Sequence, residues 1–164
     1  MLGSSAHPHG CPCGFHGDAN RECRCTGGII QRYLSEISGP LLDRIDLHVE
    51  VPAVPYKEMR ASGAGESSAA IRERVLRARA IQRSRGFDNA QIPVGTLRKL
   101  CELDDAGERT LEMAVRRMGL SARAHDRLLK VSRTIADLGG TAAVAARHVA
   151  EAVQYRSLDR NYWS

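Results

Sequence analysis

Between Ser67 and Tyr155 the apolar residues recur at three- and four-residue steps almost without a break, so most of this chain can fold only as packed amphipathic helices. The pattern predicts helices over about 67–85, 96–102, 105–118, 121–138 and 145–155. Asp105 with Glu108 reads as a capping box, Ser121 as an N-cap and Gly139-Gly140 as a C-terminal stop. In the helix over 121–138, Ala124, Leu128, Val131, Ile135 and Leu138 form the expected core stripe, and Arg123, Arg127 and Lys130 fall on the neighbouring face. No repeat of solenoid length interrupts this set, so the second half reads as a small helical bundle.

The first third is patterned differently. Residues 1–25 are rich in Gly, His, Cys and Pro and have no periodicity, which predicts a loop. From Thr26, an expected N-cap, Ile30, Tyr33, Leu34 and Ile37 mark one amphipathic helix up to Gly39-Pro40. Ile45-Asp46-Leu47-His48-Val49-Glu50-Val51 alternates apolar and polar residues as a half-buried strand does. The Pro-containing, then Gly/Ser-rich stretch that follows reads as a linker, giving expected units of 1–52, 53–66 (linker) and 67–160.

Four of the five cysteines, Cys11, Cys13, Cys23 and Cys25, fall within fifteen residues. Four thiolates can hold one tetrahedral zinc ion and so shape a segment with no core of its own. The two Cys-x-Cys pairs are one residue shorter than the usual Cys-x-x-Cys spacing, so a reduced cysteine loop and a transient disulfide stay open beside zinc. His7, His9 and His16 are alternative ligands. Cys101, among Leu97, Leu100 and Leu103, reads as a packed thiol.

A net charge of +5 and a pI near 9.2 suit anionic partners, DNA among them. The basic residues are nearly all arginine, the lysines being Lys57, Lys99 and Lys130. Arg72, Arg74, Arg77, Arg79, Arg83 and Arg85 encircle the helix over 67–85 around Ile71, Val75, Ala78 and Ile81. That is the pattern of a solvated face with partners such as Glu73, or of a nucleic-acid contact. No stretch has the roughly 20 apolar residues of a membrane span, and no basic-plus-apolar leader opens the chain, so a soluble cytoplasmic protein is expected.

Three segments carry a family resemblance. Gly39-Pro40-Leu41-Leu42-Asp43-Arg44 resembles the arginine-finger region of magnesium-chelatase-like AAA+ ATPases of the ComM/YifB type, and Gly119-Leu120-Ser121-Ala122-Arg123 resembles the start of their sensor-2 helix. The closing stretch from His148 to Arg160 is similar to the family's C-terminal end.

The resemblance implies a mainly α fold. A helical lid bundle would follow a short remnant of the AAA+ α/β core, made of the Cys-rich loop, one helix and one strand. It implies that Arg44 reaches the ATP of a neighbouring protomer as a catalytic finger and that Arg123 meets the γ-phosphate; Arg127 and Lys130, on the face beside the core stripe, read as facing solvent or a neighbour. ATP and magnesium are the implied cofactors, and the implied assembly is a hexameric ring acting on DNA in recombination during natural transformation.

The G-x-x-x-x-G-K-[ST] phosphate loop and the acidic Walker B strand of such enzymes do not occur in this sequence, and His9-Gly10 stand where the family has Asn-Pro. Hydrolysis by this chain alone is therefore expected to be undetectable. Two further readings stay open: a non-catalytic zinc-containing module that binds nucleic acid or a partner, and an ATPase subunit of magnesium chelatase itself.

Overall fold

The spacing of apolar side chains and the placement of capping residues carry over directly into the helices of a computed structural model of the chain, which describes residues 10–16, 21–36, 44–49, 54, 56, 60 and 65–156. The described helices are α1 (Gly27–Ser35), α2 (Ser68–Ser84), α3 (Val94–Leu100), α4 (Asp105–Met118), α5 (Ala122–Leu138) and α6 (Ala146–Gln154), with a 3₁₀ turn at Asn89–Gln91. The fold is mainly helical, as a C-terminal lid bundle requires. No described helix is long and apolar enough to cross a membrane.

Contacts divide the chain into two units: residues 1–44 with 50–62, and residues 45–49 with 63–164. In the first, Thr26 stands at the N-cap of α1 in extended conformation. Ile30, Tyr33 and Leu34 form its half-buried stripe at i, i+3, i+4. Ile37 and the Gly39-Pro40 break lie outside the described residues.

In the second unit α5 is the central element, packed by α6, α2, α3 and the 3₁₀ turn. Ile92, Leu97, Cys101, Leu111, Leu128, Leu129, Ala136, Val144, Val149 and Ala152 make the core. Local polar chemistry sets the ends of these helices. Ser67 and Ser121 accept the Ala70 and Ala124 N–H groups, each at 3.2 Å, and Gly119 ends α4 in the left-handed conformation, at φ 61°. The cap of α4 is Asp104, which accepts the Gly107 N–H at 2.7 Å; the expected box of Asp105 and Glu108 is one residue late. Those two acids lie instead in the first helical turn, where the macrodipole favours them.

Three expectations are corrected. The strand over 45–51 is not formed among its described residues: 45–49 run without a strand partner, and 50–51 lie outside the described set. Their backbone bonds to the helical unit, with His48 N–H donating to the Tyr155 carbonyl at 2.7 Å and Arg156 Nη1 donating to the Ile45 carbonyl at 2.9 Å. Burial inverts the period-2 pattern accordingly, since His48 is buried while Leu47 and Val49 are exposed.

On α5 the buried seam runs through Ala124, Leu128, Leu129, Ser132, Arg133, Ala136 and Asp137. It is rotated from the predicted stripe because several elements cover the helix, not one. Val131 and Ile135 are half-buried and Leu138 is exposed. On α2, only Ala78 and Gln82 are buried, and Ile71, Val75 and Ile81 of the predicted apolar set remain exposed.

Candidate functional site

The cysteine segment is shaped by a tight turn. Gly14 N–H donates to the Cys11 carbonyl at 3.0 Å, with Pro12 at the second position and Gly14 at the fourth, the residue types a β-turn favours there. The turn curls Cys13 back on Cys11 and brings their sulfurs to 3.2 Å. This is how a Cys-x-Cys pair aims both thiols at one point despite lacking the second spacer residue.

Cys23 Sγ lies 3.6 Å from both, and the four sulfurs of Cys11, Cys13, Cys23 and Cys25 all fall within 4.8 Å of one another. Zn–S bonds of about 2.3 Å place tetrahedral sulfurs about 3.8 Å apart, so the cluster has the size such an ion needs. Cys11 is fully buried and the other three are half-buried. All five cysteines are free thiols, and the separations far exceed a covalent S–S length of about 2.05 Å. His16 is exposed and is not among the clustered ligands, and His7 and His9 lie outside the described residues. Arg21 stacks over the Phe15 ring at 5.0 Å, joining the two cysteine arms.

The donor set itself favours a cation. Burial works to raise the Cys11 thiol, but hydrogen bonds from Cys13, the His16 backbone, Cys23 and the Phe15 backbone outweigh it and bring it down to about 6. Cys23 receives a favourable backbone bond from Cys25. Desolvation, its sulfur contacts to Cys11 and Cys13 and the charge on Cys11 nevertheless push it up to about 12. Cys25 receives a backbone bond from Cys13 that lowers it; contact with the Cys13 and Cys11 sulfurs, burial and the Cys11 charge raise it on balance. The Cys11 thiolate thus hinders ionisation of Cys23 and Cys25, a conflict that a dication among the sulfurs relieves.

Arg44 stands exposed in a turn of the first unit; Gly39 to Asp43, the rest of its motif, lie outside the described residues. Asp46, two residues on, is bonded to Arg127 at 2.6 Å. Arg123 is exposed in the first turn of α5, a turn that contains no acidic residue. The nearest carboxylate along the helix is that of Asp126, which pairs with His125 Nδ1 at 3.1 Å, and the positive end of a helix dipole favours an anion.

Arg127 pairs with Asp46, and Lys130 Nζ donates to the Ala90 carbonyl at 3.1 Å. With Asp46, Leu47, Val131, Ile135 and Tyr155 they line a groove of about 370 Å³. On α2, Arg74 pairs with Glu66 at 2.6 Å and Arg77 with Glu73 at 2.7 Å, while Arg72, Arg79 and Arg83 are exposed.

A buried polar cluster went unread in the sequence. Arg133 donates to Asp137 and, through its two terminal nitrogens, to the carbonyls of Ala142 and Thr141, each at 2.6 Å. Arg85 pairs with the same carboxylate. Asn89 donates to the other carboxylate oxygen at 2.8 Å, and its backbone N–H donates to Gln82 Oε1 at 3.1 Å. The i, i+4 spacing of Arg133 and Asp137 was the available signal.

Residues 65–156 match the family model described as magnesium chelatase, subunit ChlI C-terminal, and residues 5–59 match magnesium chelatase, subunit ChlI. The chain is 47% identical over 133 residues to the Competence protein ComM of Haemophilus influenzae, an alignment covering 80% of this chain and 26% of that protein. It is 40% identical over 148 residues to the uncharacterized protein YifB of Escherichia coli, covering 89% of this chain and 29% of that one. A similarity of 38% identity over 151 residues extends to an uncharacterized protein of Mycobacterium bovis, again 89% of this chain and 29% of the relative. The chain thus spans 26–29% of the length of these relatives.

Proposed function

The chain belongs to the magnesium chelatase, subunit ChlI, family, and from that premise we propose that it supplies Arg44 and Arg123 to the ATP sites of a ring of AAA+ protomers. Arg44 serves as the finger that neutralises charge developing on the transferred γ-phosphoryl group of a neighbouring protomer's ATP, and Arg123 binds the γ-phosphate from its own lid. ATP with magnesium supplies the phosphoryl group that these two side chains stabilise. The phosphate loop and acidic strand that complete such a site come from residues outside this sequence.

The observation that carries this reading is the setting of Arg123: exposed, at the N-terminal end of a helix capped by Ser121, with no acidic residue in its first turn. The test is hydrolysis by a ring-forming ATPase bearing residues 10–156. Arg44→Ala is expected to lower kcat by about 10³-fold, on the scale of other arginine fingers, and Arg123→Ala by at least about tenfold for one lost charge-assisted contact. Unchanged kcat in both variants overturns the reading.

In this reading the motor acts on DNA in recombination during natural transformation; its support is similarity to a relative named for competence and the net charge of +5. The four-cysteine cluster holds a structural zinc that ties residues 11–25 together, supported by the mutual reach of the four sulfurs.

That same cluster favours a second reading, a zinc-containing binding module without catalysis. Such a module binds DNA as an isolated chain with a steep salt dependence. Salt-dependent binding together with loss of the Arg44 and Arg123 effects would select it.

A further inference from the structure

The segment directly after Arg44 is bonded to the helical unit at three successive levels. Arg156, nearly fully buried, donates to the Ile45 carbonyl at 2.9 Å. Asp46 accepts from Arg127 Nη1 on α5 at 2.6 Å, across 81 residues of sequence. His48 N–H donates to the Tyr155 carbonyl at 2.7 Å. Leu47 lines a groove with Val131, Ile135, Leu138 and Tyr155. The segment 45–49 clusters with residues 63–164 and not with the residues that precede it.

From this geometry we infer that Asp46 and Arg127, backed by Arg156, form an ionic latch that fixes the backbone following Arg44 to the helical unit, and that Arg127 is a positioning residue for Arg44. The inference rests on the reading of Arg44 as the finger. One peptide bond joins Arg44 to Ile45, and consecutive Cα atoms are about 3.8 Å apart. With Ile45 held at its carbonyl, the root of the Arg44 side chain moves with the helices that hold it.

The pairing chemistry suits a latch more than a core element. Asp46 is 53% and Arg127 22% exposed at their side chains, so the ion pair is reachable by water and of modest strength. Arg156, by contrast, is buried and fixed. A strong anchor beside a weak, reversible pair allows the segment to stay in register while its grip is loosened.

The test has two arms. In the 164-residue chain, hydrogen exchange at the His48 amide and tryptic cleavage at Arg44–Ile45 are followed for Asp46→Asn and Arg127→Gln. An exposed ion pair of this kind corresponds to a rise of about two- to fivefold in both, with exchange in 105–138 unchanged. The charge reversal Asp46→Arg with Arg127→Asp restores the slow rates. Asp46, being half-exposed, is the variant least able to disturb the bundle. Unchanged exchange and cleavage in both single variants overturn the latch.

In a ring-forming ATPase bearing residues 10–156, Asp46→Asn is expected to lower kcat about two- to fivefold with KM for ATP unchanged, and the charge reversal to recover it. If Arg44→Ala abolishes hydrolysis while Asp46→Asn leaves kcat intact, positioning is overturned and the finger stands. If Arg44→Ala has no effect, the finger reading fails, and the exchange data decide the latch on their own.

Discussion

Arg133 and Asp137, one turn apart on α5, form an ion pair at 2.9 Å with side chains 4% and 0% exposed. Arg85 shares the carboxylate, and Arg133 also holds the two carbonyls of the turn that leads toward α6. One buried anion thereby organises two cations, Asn89 and a loop. Removing a single member of such a group leaves charge without compensation in a low-dielectric site.

Asp137→Ala is expected to destabilise the helical unit by about 3–5 kcal/mol, because both guanidinium groups lose their counter-charge. Urea unfolding monitored by far-UV circular dichroism measures it. A loss under about 1 kcal/mol would mean that the pair contributes little beyond its hydrogen bonds.

The cysteine cluster predicts about one zinc per chain in protein purified under reducing conditions, with four sulfur neighbours at about 2.3 Å by X-ray absorption. Cys11→Ser, at the buried position of the set, should abolish stoichiometric binding. Chelation should disorder residues 11–25 while leaving the thermal transition of residues 65–156 in place, since those residues have their own core. Metal-free protein with an ordered cysteine loop would refute the site.

His148 carries a pH dependence. Burial holds its imidazole below the ordinary 6.5, and the nearby Arg147 and Arg133 charges lower it further. Its Nδ1 accepts the Ala145 N–H at 3.0 Å, a bond that requires an unprotonated Nδ1. Below pH 6.5 the unfolded chain takes up a proton before the folded chain does, so stability present above 6.5 is lost as pH falls toward the lowered folded value. Stability curves of the wild type and His148→Asn should converge as pH falls through that window. Parallel curves would exclude His148 as the cause.

Burial separates two helices with similar apolar patterns. Leu128→Ala on α5, at 1% exposure, is expected to cost about 3–4 kcal/mol. Ile71→Ala on α2, at 42% exposure, should change stability by less than about 1 kcal/mol. Thermal denaturation of the two variants compares them directly; equal losses would place Ile71 in a packed environment.

Helix existence was legible along the chain because its causes are local. Apolar spacing and Ser121 as a cap act within one or two turns, and α4 spans the expected 105–118. The candidate metal ligands were legible too, since four thiols in fifteen residues are a compositional fact. What composition could not supply was the turn at Pro12 and Gly14 that converts a short spacing into convergent sulfurs.

The sequence by itself therefore determined where helices form and which thiols are available for a metal. Tertiary structure alone decided which face of α5 is buried, why Arg133 and Asp137 belong inside, and where residues 45–49 lie. These outcomes depend on partners far along the chain. Arg127 meets Asp46 across 81 residues and Arg156 meets Ile45 across 111. An alternating apolar pattern specifies that a segment is extended and half-covered, but the surface that covers it is chosen by the competing donors and acceptors that the completed fold brings within reach.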